Sequence, residues 1–236
     1  MPFQIELRAS SRLQDFRGRV SRAVLLPWLS AALLVSIGDL GCSGGGAGGS
    51  ASTGATGTTN TSVLPGTIVL FDFDTATSPP AVGSSLPFSQ SKGGLSANFS
   101  DPTLANGYSI QNSASTLYTL SGFSGSYLVP NGLSPGPLSI QFSQAIKQAS
   151  VVFATADFNQ AEVPTTVMLT AYFGANSTIP VGSIQGHGTY ATNTMPMGTL
   201  SFDSGGAPFD RVVISIPPQT LGTGDVLLDN ISVTVH

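Results

Sequence analysis

Charge is what this sequence has least of. Only 8% of its 236 residues are Asp, Glu, Lys or Arg, against roughly a quarter in an ordinary soluble domain. Cysteine occurs once, at Cys42, tryptophan once, at Trp28, and histidine twice, at His187 and His236. A single cysteine excludes an intrachain disulfide framework and any zinc site built on paired cysteines. The histidines stand in "QGHGTY" and at the last position, and neither has an acid or a nucleophile beside it in a recognisable arrangement. No nucleophile elbow, zinc spacing or phosphate loop is present. The composition therefore points away from catalysis.

The few charges are unevenly placed. Arg8, Arg12, Arg17, Arg19 and Arg22 all precede the one long apolar run, and from Cys42 onward three basic residues face nine acidic ones. Without a basic patch to neutralise phosphates, nucleic acid is excluded as a partner, and an anionic membrane surface is disfavoured. The apolar run "AVLLPWLSAALLVSIG" holds 16 residues (Ala23–Gly38). That length suits the core of a signal peptide and is short for a membrane span, and Pro27 inside it disfavours a spanning helix. Residues 1–41 are predicted to be a signal peptide.

"DLGC" follows at once and resembles the bacterial lipobox. In that motif the cysteine becomes the first mature residue and carries lipid. Leu40, Gly41 and Cys42 match it, whereas Asp39 stands where the pattern has an aliphatic residue. The resemblance implies lipidation at Cys42 and membrane contact through that anchor alone. Cleavage by the general signal peptidase within "GGGAGGSAS" is the alternative, and would leave a secreted protein. Residues 42–66 form a Gly/Ser/Thr-rich stretch without charge, expected to act as a flexible tether. Pro65-Gly66 is a turn signal at its end.

From Thr67 the period is two. "TIVLFDFD", "PLSIQF", "TTVMLTAYFG", "FDRVVISI" and "DVLLDNISVTV" alternate apolar and polar residues between glycine-rich breaks. Ten to twelve short strands are predicted, with no helix of note. "SQAIKQAS" is read as one helical turn or, preferably, as the lead into the next strand. The expectation for 67–236 is one all-β domain, an antiparallel two-sheet β-sandwich of jelly-roll order.

"LFDFDT", "LSIQFSQAIKQASVVFATAD", "VMLTAY", "FDRVVISI" and "VLLDNISVTV" together resemble the jelly-roll domains of secreted bacterial proteins of the PEP-CTERM type. Those domains are similar to carbohydrate-binding modules and galactose-binding-like sandwiches. The resemblance spans nearly all of 67–236 and implies a non-catalytic binding function. Many such proteins end in a sorting segment, which "VTVH" lacks, so the anchor is expected at Cys42.

Asp229 is the most informative acid. Period two places it on the face of Ile231, Val233 and Val235, expected to point inward. A buried carboxylate needs a partner, and a calcium ion or Arg211 would serve. If the first and last strands pair antiparallel, Asp72 and Asp74 come near Asp229, and sugar-binding jelly rolls often hold a structural calcium there. The alternative is that Asp229 lies just beyond the sheet and caps a turn. Arg211 is expected to pair with Asp210, Asp229 or Asp72. Tyr108 and Tyr127 lie beside glycine-rich turns and are candidate stacking faces for a sugar. The function expected is an exported, lipid-anchored surface protein binding a polysaccharide or another cell-envelope component. A structural or adhesive lipoprotein, or a hydrolase using paired carboxylates, is the alternative.

Overall fold

The computed structural model describes residues 62–115, 120–132, 136–158, 160, 163–191, 195–218 and 225–236. The predicted signal segment, Cys42 and most of the expected tether lie outside the described residues. The chain divides into two units, Met1–Ala55 and Thr56–His236, and all that follows concerns the second.

One strand organises this unit. β6 runs for 18 residues, Leu138–Thr155. It takes in "SQAIKQAS", whose alternation of small, polar and apolar side chains continues the strand instead of closing a helical turn. Its first half pairs with β3 (Leu95–Ser100) and β10 (Phe209–Ser215), its second half with β11 (Val226–Val235) and β9 (Met197–Asp203). Ile146 is the corner. It pairs with Phe209 on one side and with Val235 on the other, and both ladders shift register there. Such irregularities bend a strand and let it pass from one sheet to another.

Two antiparallel layers result. The first runs β2 (Phe88–Lys92), β3, β6, β10, β7 (Thr166–Tyr172), β8 (Pro180–His187). The second places β9, β6 and β11 side by side. Along its outer edge β11 pairs with β5 (Ser126–Pro130) and with β1 (Ile68–Phe71), and β4 (Tyr108–Asn112) lies beyond β5. The first and last strands do pair antiparallel, Val69 opposite Val233. The fold is thus an antiparallel two-sheet β-sandwich of eleven strands among the described residues.

Between the layers lies a core supplied by the alternating apolar positions of both. Phe71 of the second layer meets Phe99 and Phe142 of the first, at ring separations of 6.4 and 6.1 Å. Phe202 and Phe209 meet at 5.5 Å across the other side. Each such pair adds about 0.5–1.5 kcal/mol beyond area burial. A smaller cluster, with Leu120, Phe123, Tyr127, Ala154 and Leu227, covers part of the second layer's outer face.

Candidate binding face

The acidic end of the sandwich is built by two irregularities. Phe73 is fully buried against Phe88 and Phe99 yet sits at φ 59°, a conformation that costs an L-residue of this bulk. It turns the chain out of β1, and Asp72 accepts the Asp74 and Thr75 amides while taking an ion pair from Lys92 at 3.4 Å. Burial acts against the charged form of Asp72, but the Thr75 and Asp74 donors and Lys92 outweigh it and hold its carboxyl below the usual value. Asp74 reaches in the other direction, and both its oxygens accept the Ser126 amide at 2.9 Å.

The second irregularity inverts Asp229. Leu228 and Ile231 both belong to the main core although three positions separate them, which strict alternation forbids. A bulge between Asp229 and Ser232, with Asn230 at φ 50°, absorbs the extra residue. Asp229 therefore shares a face with Leu227, outside the sandwich core, opposite Val152 and beneath the 120–125 segment. It is 0% exposed. Its carboxylate accepts Ser124 N at 3.0 Å and Asn230 N at 2.7 Å, and Asn230 Nδ2 donates to Gly122 O at 3.0 Å. Burial, reinforced by the charges of Asp74 and Asp72, pushes its pKa up to about 7 against the pull of those two amides.

Two sequence expectations are corrected by this geometry, the face on which Asp229 lies and the exposure of Tyr108 and Tyr127. Asp229 is buried as predicted, but the bulge puts it on the other face from Ile231, Val233 and Val235. Asp72, Asp74 and Asp229 sit within electrostatic reach of one another, yet their oxygens face backbone amides. Among the described residues no group of three or more His, Cys, Asp or Glu side chains is placed to hold a metal ion. Tyr108 and Tyr127 are not stacking platforms. Tyr108 is 3% exposed and donates to Gly136 O at 3.0 Å, and burial pushes its hydroxyl pKa upward. Tyr127 is 2% exposed, packs on Phe123 and donates to Gln111 Oε1 at 3.3 Å.

Arg211 makes no ion pair among the described residues. Its guanidinium lies 4.4 Å from the centroid of the Tyr172 ring and donates through Nη2 to Ser177 O. Neighbouring Asp210 turns instead to the Gly174 amide at 2.8 Å. The ring face and a carbonyl hold the cation where a carboxylate was expected.

Arg211 belongs to a row that alternation alone does not reveal. Ser89 pairs with Asn98, Asn98 with Gln141, Gln141 with Arg211 and Arg211 with Tyr172. Directly opposed residues of antiparallel strands point to the same side. Five side chains from five strands thus line up on the outer face of the first layer. Asn98 and Ser89 are exposed, and Gln141, Arg211 and Tyr172 are half-buried. The next row inward, Ser100, Ser139, Val213, Thr170 and Ser183, is again mostly hydroxyl. Serine and amide residues at alternate positions of "LSANFS" and "LSIQFS" were the available signal; the register that aligns them was not.

No family model matches the chain, and no curated protein does. Its matches are to solved structures. The K2 cleaved adhesin domain of Lys-gingipain is 13% identical, with 72% of this chain and 100% of that chain covered and a TM-score of 0.45. The K1 domain of the same protein from Porphyromonas gingivalis W83 is 13% identical over 72% and 99%, with a TM-score of 0.42. A family 11 carbohydrate-binding module from Clostridium thermocellum, in complex with a mixed-linked tetrasaccharide, is 12% identical over 66% and 98%, with a TM-score of 0.30. Likeness at this level assigns neither family nor ligand. The row of polar side chains on the first layer is the stronger observation.

Proposed function

We propose that this chain is an exported surface protein whose β-sandwich is a non-catalytic binding domain for a polysaccharide. The observation that carries this reading is the row Ser89–Asn98–Gln141–Arg211–Tyr172. It combines hydroxyl, amide and guanidinium donors with one aromatic ring on an open sheet face. Adjacent strands lie about 4.8 Å apart, a spacing comparable to the repeat of a sugar chain, so successive side chains of the row can address successive hydroxyls. The non-catalytic reading is supported by the engagement of Asp74 and Asp229 with backbone donors and by the exposed positions of His187 and His236. Export and anchoring rest on the sequence before Thr67, with Cys42 as the lipidated residue.

Full-length protein applied to an array of polysaccharides is expected to bind at least one class, and the pair Asn98→Ala with Ser89→Ala to reduce that binding about tenfold or more, the scale of two lost hydrogen bonds. Binding to no class would overturn the reading. Cys42→Ser is expected to release the protein from the membrane fraction, and unchanged fractionation would remove the anchor from the proposal.

A further inference from the structure

The row on the first layer carries one full charge. Among the strand residues paired with their neighbours on that face, the others are serine, threonine, asparagine, glutamine, Val213, Met168, Tyr172 and Pro180, with His187 at the far end of β8 opposite Thr166. Arg211 is the only arginine after the signal segment, in a region where acids outnumber bases three to one. An arginine so placed would ordinarily be drawn to one of those acids. Instead Asp210 is held by Gly174, Asp72 by Lys92 and Thr75, and Asp229 lies beneath the 120–125 segment of the other layer.

The guanidinium is nevertheless held in place. The Tyr172 ring supports one side of it and Ser177 O takes one of its five donors. Its Nε and, on the adjacent strand, Gln141 Oε1 have no hydrogen-bond partner among the described residues, but both atoms are buried, so a ligand on this face would meet the terminal nitrogens of the guanidinium. Elsewhere the row is bonded internally, Ser89 Oγ donating to Asn98 Oδ1 and Gln141 Nε2 to Asp210 O at 3.0 Å. A positioned guanidinium without an acid partner, set among uncharged donors, matches a planar anion flanked by hydroxyls, because the guanidinium fork accepts a carboxylate through two parallel hydrogen bonds.

We infer that this face takes an acidic polysaccharide, with the carboxylate of a uronic acid residue on Arg211 and neighbouring sugar hydroxyls on the exposed Asn98 and Ser89. The inference rests on the polysaccharide reading above and narrows its ligand class. The negative charge of the rest of the domain sets a limit on it. Such a ligand is repelled elsewhere, so binding is confined to this row and weakens with added salt.

The test is affinity electrophoresis of the full-length protein through gels containing polygalacturonate, its fully methyl-esterified counterpart, or dextran sulfate. Retardation is expected in polygalacturonate and not in the neutral ester. Arg211→Gln is expected to weaken it about tenfold or more, the loss of one charge-assisted bidentate contact, and Arg211→Lys to restore only part. Asn98→Asp adds a like charge on an exposed side chain of the row and leaves the packing of Arg211 untouched. It is expected to weaken polygalacturonate binding severalfold, and it decides the matter if Arg211→Gln fails to fold. Equal retardation by the acid and its ester, insensitive to both variants, would overturn the carboxylate assignment and leave the polysaccharide reading standing. Retardation by dextran sulfate alone would also overturn it. Retardation by none of the three, with an empty array, would overturn both.

Discussion

Asp229 accepts the Ser124 amide at 3.0 Å, while Asp74 accepts the Ser126 amide through both oxygens at 2.9 Å. The two acids thus grip one short segment, Asp229 from the last strand and Asp74 from the turn that follows the first. That segment covers the outer face of the second layer, with Leu120 and Phe123 packed beside Leu227. Losing either grip exposes apolar surface as well as breaking a hydrogen bond.

Stability should fall as pH rises through the neutral range because of Asp229. Its folded pKa of about 7 lies above the ordinary 3.8, so between those values the folded state binds the extra proton. Its stabilising contribution is complete below about pH 4 and is lost as pH rises through about 7. Asp72 and Asp203 are shifted the opposite way, so the comparison with a variant isolates the effect. The difference in urea midpoint between Asp229→Asn and the wild type should move in the variant's favour from about pH 4.5 to about pH 7.5. A constant difference would show that Asp229 keeps an ordinary pKa.

Gly125→Ala should be destabilising. Gly125 has φ 61°, and an added Cβ would stand 2.1 Å from Asp74 Oδ2. Strain and the displaced carboxylate together should cost about 1–3 kcal/mol. Gly132→Ala, where an added Cβ meets nothing within 4 Å, should be close to neutral. Denaturant midpoints of the two variants provide the measurement.

Tyr108→Phe should lower stability by about 1 kcal/mol through loss of the bond to Gly136 O. It should leave any polysaccharide binding unchanged, since the ring is buried in the core. A variant that keeps its melting temperature but loses binding would return Tyr108 to the ligand face.

Calcium should leave the melting temperature where it is. The oxygens of Asp72, Asp74 and Asp229 face amide donors, and among the described residues no group of three such side chains is placed to hold a metal ion. A cation that bound only the folded state at a hundredfold excess over its dissociation constant would add about 2.7 kcal/mol. A clear rise on adding calcium, reversed by chelator, would establish a cation site at this end of the sandwich.

Much of the architecture is legible in the sequence. Alternation in "TTVMLTAYFG" and "DVLLDNISVTV" specifies strands, because a pleated chain buries every second side chain. Val69 opposite Val233 shows that the terminal strands pair as expected. The same parity places Tyr172 away from the core. A single cysteine and two isolated histidines limit the available chemistry by composition alone.

Three decisions belong to the tertiary structure. Asp229 follows parity until the bulge at Asn230, and a bulge is set by pairing with β6, not by local sequence. Tyr108 and Tyr127 flank glycine-rich turns, but burial of a ring depends on what the rest of the chain lays over it, and here that is Gly136 for one and Phe123 for the other. Arg211 has nine acids to choose from by composition, and its partners are Tyr172 and Ser177. Which groups meet across five strands is fixed by register, and register comes from long-range pairing that no window of sequence contains.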